Sequence, residues 1–229
     1  MPDYGRFCPV ALGTEVLADR WTPLIVRELV LGNTRFNDIA RGLPGISRSL
    51  LSQRLRHLQR MDVIEHWDGP TPEYRLTPAG RELEQVLFAL GRWAIEWRYD
   101  ELHPEEIDPV TLTWWMHRRV AEENLPPGRV VVEFRHTGPV KKVLWMVLDR
   151  GEASVCMQHP GYESDLVVTM ATPCLSEVFG GTTTWTAAVG SGAIQVEGRP
   201  ALVKAMPRWF LWSPFAELTE ARARRAVAS

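Results

Sequence analysis

The stretch from Thr34 to Met61 constrains this 229-residue chain more than any other. A short segment with Phe36, Ile39 and Ala40 facing one way ends in the turn Gly42-Leu43-Pro44-Gly45-Ile46. A longer segment then opens at Ser47 and places leucine at 51, 55 and 58. That spacing lines the leucines along one stripe of a helix, and Ser47 stands where a side-chain oxygen caps its first turn. The outward face offers Ser49, Ser52, Gln53, Arg56 and Arg60, with Arg48 and Arg54 alongside.

Charge reinforces the pattern. The formal net charge is only −2, yet between Arg35 and Met61 six arginines stand against the single acid Asp38. From Asp100 to Glu123 the balance reverses, with seven acids against two arginines. Binding phosphate needs a local positive potential and not a basic whole chain, so the early block qualifies. Taken alone, the arginines could equally solvate a helix face.

The flanking elements complete a recognisable order. Four pairs, Thr22-Pro23, Thr77-Pro78, Asp108-Pro109 and Thr172-Pro173, join a capping oxygen to a proline suited to the first helical position. They predict helix starts, and an earlier helix runs from near Pro9 to Ala18. After Met61, Val63–Trp67 and Tyr74–Thr77 read as strands around Asp68-Gly69-Pro70-Thr71-Pro72, a hairpin. From Pro78, Leu83, Val86, Leu87, Leu90, Trp93, Ala94 and Trp97 form one apolar helical stripe, which calls for a partner surface.

Short helix, tight turn, polar-faced helix and hairpin make a winged helix-turn-helix with Ser47–Met61 as recognition helix. The leucine stripe anchors one side, and the other can enter a major groove about 12 Å wide. The expected contacts with double-stranded DNA are Ser47, Arg48, Ser49, Ser52, Gln53, Arg54 and Arg56, with Arg35 and Arg75 flanking on phosphates. A pseudo-palindromic operator is normally read by a two-fold protein, so a homodimer is expected.

Residues Cys8 to about Tyr99 resemble the HxlR-type winged helix regulators. The stretches that carry the likeness include Cys8-Pro9-Val10, Arg20-Trp21-Thr22, Arg27-Glu28-Leu29, Arg35-Phe36, Leu43-Pro44-Gly45-Ile46-Ser47, Leu50-Leu51-Ser52-Gln53-Arg54-Leu55 and Tyr74-Arg75-Leu76-Thr77-Pro78-Ala79-Gly80. The resemblance implies a dimeric bacterial transcription factor built through its first helix and the helix after the wing. It also implies a possible sensing role for Cys8, a thiol at a helix start where the dipole favours the reactive thiolate. The alternative is a small buried residue at the dimer helix. Here the wing, Asp68 to Glu73, is short and acidic.

Beyond an acidic boundary from Tyr99 to Asp108 the texture changes. Strand-like runs at Val130–Phe134, Val143–Leu148, Ala153–Met157, Leu166–Met170 and Ala193–Glu197 mix with helices at Pro109, Thr172, Thr184–Val189 and Pro200–Leu211. The fold class expected is α+β, a winged helix-turn-helix domain over 1–99 and an α+β domain over 109–229. Residues Gly161–Trp209 resemble the sterol-carrier-protein-like fold, through Asp165-Leu166-Val167-Val168, Trp185-Thr186-Ala187-Ala188 and Gly192–Gly198. That resemblance implies an apolar-ligand site and carries no catalytic residues.

Six of the ten tryptophans fall in this second region. Aromatic and methionine side chains suit adaptable pockets, and also ordinary cores. The candidate lining is Trp115, Phe134, Trp145, Met157, Phe179, Trp185, Met206 and Phe210. Of the adjacent Trp114 and Trp115, a helix turns one toward the surface. His136, His159, Asp149, Glu163 and Asp165 come with no catalytic or metal-ligand motif, and no cofactor is called for. Three scattered cysteines suit neither a disulfide framework nor a zinc site. No apolar run of membrane-spanning length occurs and Met1–Arg6 lacks a secretory pattern, so a cytoplasmic protein without membrane contact is expected.

Overall fold

A computed structural model describes residues 7–99, 103, 106–149 and 152–227. It divides into two compact units, the first ending at Leu90 and the second beginning at Gly91. Of the acidic boundary segment, residues 100–102, 104 and 105 lie outside the described residues.

The first unit opens with α1 (Pro9–Leu17), α2 (Thr22–Val30), α3 (Phe36–Arg41) and α4 (Arg48–Arg60). The hairpin β1 (Ile64–Trp67) and β2 (Glu73–Leu76) follow, and then the helix α5 (Pro78–Arg98), whose residues from Gly91 onward belong to the second unit. Antiparallel pairing sets Ile64 opposite Leu76 and Trp67 opposite Glu73. One core gathers Ile25, Val26 and Leu29 of α2, Ile39 of α3, Leu43 of the turn, the three α4 leucines, and Val63 with Ile64. Leu83 and Leu87 of α5 pack against it.

The second unit is built on one sheet. Its strands are β3 (Val130–Thr137), β4 (Lys142–Asp149), β5 (Glu152–Cys156), β6 (Leu166–Ala171) and β7 (Ile194–Gly198), in the order β5-β4-β3-β6-β7. Only β3 and β6 run parallel; the other pairs are antiparallel. The helices are α6 (Pro109–His117), α7 (Thr172–Gly180), α8 (Trp185–Gly190), α9 (Pro200–Ala205) and α10 (Ala216–Val227). The core joins Leu112 and Met116 of α6 and Leu175 and Val178 of α7 to alternate strand residues, among them Val132, Phe134, Met146, Leu148, Leu166 and Val168. The result is α+β, as expected.

Two expectations are corrected locally. The helix from Pro200 does not reach Leu211: α9 stops at Ala205, and Met206–Trp209 form a 3-10 turn. Pro207 has no N–H to continue the α-ladder and breaks it. Of the four proposed caps, Thr77 and Asp108 accept from the N–H groups of Gly80 (3.1 Å) and Thr111 (2.9 Å). Thr22 and Thr172 make no such bond, and each lies inside its helix with proline beside it in the first turn. The Thr172 hydroxyl instead faces the buried ring of His136, whose Nδ1 is 3.1 Å away.

Candidate nucleic-acid interface

The candidate interface is built on α4. Leu51, Leu55 and Leu58 are fully buried and fix which side of the helix faces inward. At about 100° per residue, Ser49, Gln53, Arg56 and Arg60 then fall on the opposite side, and all four are exposed. Ser47 caps the helix, its Oγ accepting from the Leu50 N–H at 3.2 Å and lying 3.1 Å from the Ser49 hydroxyl. The cap positions the first turn, where backbone N–H groups and the helix dipole favour an anion.

The arginines divide by what they touch. Arg56 is exposed, and one Nη donates to Ser52 at 3.1 Å. Its charge reaches the wing: burial raises the Tyr74 hydroxyl above its ordinary value, and the Arg56 guanidinium pulls the other way. Arg48 lies over the Phe36 ring, 4.9 Å from its centre, and donates to Asn37 at 3.1 Å. Arg35 is exposed at the start of α3. On the wing, Arg75 sits 4.2 Å over the exposed Trp67 ring and pairs with Glu73 at 3.3 Å. Arg54 turns toward the α1–α2 junction and pairs with Asp19.

The orientation of α3 and α4 depends on a buried acid that residue type alone did not single out. Glu28 of α2 is completely buried. Its carboxylate accepts from Arg27 Nη2 at 2.7 Å and Nε at 3.1 Å, and from Asn33 Nδ2 at 2.6 Å. Arg27 also donates to the carbonyl of Gly42 at 3.3 Å. A Cβ on Gly42 would stand 1.9 Å from Glu28 Oε2, so a larger residue there would have to displace the carboxylate that the turn closes over. A signal existed: Glu28 follows Ile25 by three residues, which places it on the buried face of α2.

The chain belongs to the HxlR-like helix-turn-helix family. The family model matches residues 16–101. The HTH-type transcriptional regulator YvaP of Bacillus subtilis (strain 168) is 39% identical over 97 residues, which are 40% of this chain and 90% of YvaP. YodB, an HTH-type transcriptional regulator of the same organism, is 35% identical over 83 residues, 34% of this chain and 74% of YodB. The solved structure of the transcription factor PA1607 is 34% identical, covers 46% of this chain and 74% of that one, and gives a TM-score of 0.40. The chain is thus a transcriptional regulator of winged helix-turn-helix type. Within the matched residues, α3, the turn and α4 are the helix-turn-helix, with β1 and β2 as the wing.

Five of the eight aromatic and methionine candidates of the second unit meet in its core, and Trp115, Trp145 and Met157 lie apart from it. Phe134, Met206 and Phe210 are buried in its core, and Phe179 and Trp185 pack half-buried against that core. Trp145 pairs with Glu133 across the sheet, whereas Phe134 pairs with Leu144, so strand alternation puts Trp145 on the other face. Met157 is exposed just after β5. Of the adjacent pair on α6, Trp114 is buried and Trp115 half-buried. All three cysteines are free, and Cys8 sits half-buried at the N-cap of α1. Among the described residues, no helix is long and apolar enough to cross a membrane.

Proposed function

We propose that the protein is a homodimeric, sequence-specific DNA-binding regulator that reads a pseudo-palindromic operator through α4. One observation carries the reading: Ser49, Gln53, Arg56 and Arg60 are exposed opposite a fully buried leucine seam. Gln53 is placed to pair with adenine and Arg56 with guanine, while Ser47, Arg48, Ser49 and Ser52 approach the phosphates. Arg35 adds charge beside them, and Arg75 acts from the wing as far as Trp67 and Glu73 leave it free.

Dimerisation is supported by apolar surface on two helices. Val10 and Leu12 of α1 are exposed, and Val86, Leu90, Trp93 and Trp97 are exposed along α5. Their 4-3-4 spacing forms a narrow seam of the kind that packs against a second helix. In the second unit, an apolar ligand would lie against the half-buried edge at Phe179 and Trp185. Trp212 adds to that edge, stacked on Trp185 with ring centres 6.0 Å apart. Such a ligand regulates only if it binds two states of the dimer unequally. A second reading, thiol sensing, is favoured by the free Cys8 at the start of α1.

One titration tests these together. The full chain is bound to the intergenic duplex upstream of its own gene and to an unrelated duplex, at several salt concentrations. Preferential, salt-sensitive binding by two chains per site is expected, and Gln53→Ala should weaken the preferred duplex about tenfold. Equal binding to both duplexes, or an unaffected Gln53→Ala variant, overturns the recognition reading. Repeating the titration after mild oxidation, with wild type and Cys8→Ser, decides the thiol reading: equal responses remove it. Dodecanol, added as an apolar probe, should raise the melting temperature and shift DNA affinity if the second unit holds a ligand; no effect counts against that role.

A further inference from the structure

Arg54 is on the recognition helix, but its surroundings differ from those of its neighbours. It follows Leu51 by three residues, about 60° round the helix from the buried seam, whereas Gln53 stands nearly opposite. One Nη donates to Asp19 Oδ2, a residue 35 positions earlier in the connection between α1 and α2. The two side chains retain 22% and 33% of their exposure. The Arg54 Nε is buried from solvent and has no hydrogen-bond partner among the described residues. Asp19 is tied to the next helix as well, its carbonyl accepting from the Thr22 N–H at 2.9 Å.

We propose that Arg54 is a positioning residue: through Asp19 it locks the recognition helix to the α1–α2 junction, and it does not contact DNA. This rests on the reading of α4 as the recognition helix. Three physical points favour it. The charge of Arg54 is matched by a carboxylate, so it adds little field toward a phosphate. Swinging out to reach a base would leave Asp19 without its cation in a half-buried place. And the ion pair, about 60° off the leucine seam, ties the helix to a second element, the α1–α2 connection, and so adds a point of attachment that the seam does not supply. Arg56, exposed on the same helix, donates to Ser52 and has no acidic partner among the described residues, so its charge is left to the DNA.

A contact and a strut predict opposite effects for the partner. If Arg54 touched DNA, Asp19→Asn would free its charge and tighten binding, and Arg54→Met would reduce the salt slope by about 0.9 for a lost phosphate contact. If it is a strut, both single variants weaken binding to the preferred duplex by a similar factor, about tenfold, with the slope unchanged. Asp19→Asn combined with Arg54→Met is then no worse than either alone, and the swap Asp19→Arg with Arg54→Asp restores part of the affinity. Binding of the full chain to its upstream duplex and to an unrelated duplex reads all of these. Thermal melts keep misfolded variants apart, with Arg54→Lys as the conservative case expected to retain most of the affinity. Tighter binding by Asp19→Asn, or a slope reduced by about one in Arg54→Met, overturns the proposal. If wild type shows no duplex preference, the recognition reading itself fails, and Arg54 loses its proposed role with it.

Discussion

The two units bury polar groups in opposite ways. In the first, Glu28 is a carboxylate taken wholly out of water and matched by the Arg27 guanidinium and the Asn33 amide. In the second, His136 is 3% exposed on β3 and held neutral between two threonine hydroxyls. The tautomer follows from the donors. Thr113 gives its one proton to the Pro109 carbonyl at 2.8 Å, so its oxygen accepts from His136 Nε2–H, and Nδ1 accepts from Thr172. A buried charge network fixes geometry where a turn must close, at Gly42. A neutral network joins α6, β3 and α7 without placing a charge in the core. The difference teaches where each unit is fragile: the first to loss of a partner, the second to a proton.

The largest effect should come from breaking the charged network. Glu28→Ala removes the acceptor that Arg27 and Asn33 share and opens the α2–α3 contact. Loss of one partner of a buried pair costs about 3–5 kcal/mol, with the lower end expected because Arg27 is partly exposed. Gly42→Ala should also destabilise, by driving a methyl group into the same carboxylate. In the double variant the clash disappears, so the two losses should not add. Urea unfolding of the four chains measures this, and strict additivity would show that Gly42 and Glu28 do not share one site.

The neutral network predicts a pH dependence. Burial pulls the His136 ring down to about 4, against the opposing effect of the Asp108 carboxylate. Between the ordinary histidine value near 6.5 and 4, the unfolded chain therefore binds a proton that the folded chain does not. The contribution to stability is complete above pH 6.5 and is lost as pH falls toward 4, by about 3 kcal/mol in all. His136→Phe should be less stable at pH 7 but lose less on going to pH 5, as followed by urea midpoints. Equal losses in both chains would mean that other groups carry the acid sensitivity.

Much of the first unit could be read from one dimension, and the reason is local. The seam at Leu51, Leu55 and Leu58, the cap at Ser47 and the hairpin all arise within a few residues of one another. What depends on distant neighbours could not be read. Arg54 has the right residue type on the right helix, but its partner lies 35 positions away. Thr172 precedes a proline as a cap would, yet its hydroxyl is taken by a histidine 36 positions earlier. In the second unit, aromatic content pointed to a lining, whereas strand register decided the placement. Phe134 and Trp145 each alternate correctly within their own strands, and only the pairing of β3 with β4 reveals that they face opposite ways.

The smallest effect separates stability from recognition within the first unit. Ser47→Ala removes the acceptor for the Leu50 N–H and should cost about 1 kcal/mol. Ser47→Asp keeps a capping oxygen and adds a negative charge that the helix N-terminus favours, so stability should be retained or slightly raised. That same charge stands beside the exposed Ser49 hydroxyl, where a phosphate would approach, and repels it. DNA affinity should therefore fall further in the more stable aspartate variant than in the alanine variant. Melting temperature and duplex affinity, measured on the same preparations, would then rank the two variants in opposite orders. If affinity instead tracked stability in both, Ser47 would act only as a cap, and the phosphate-facing role of the first turn of α4 would pass to Arg48 and Ser49.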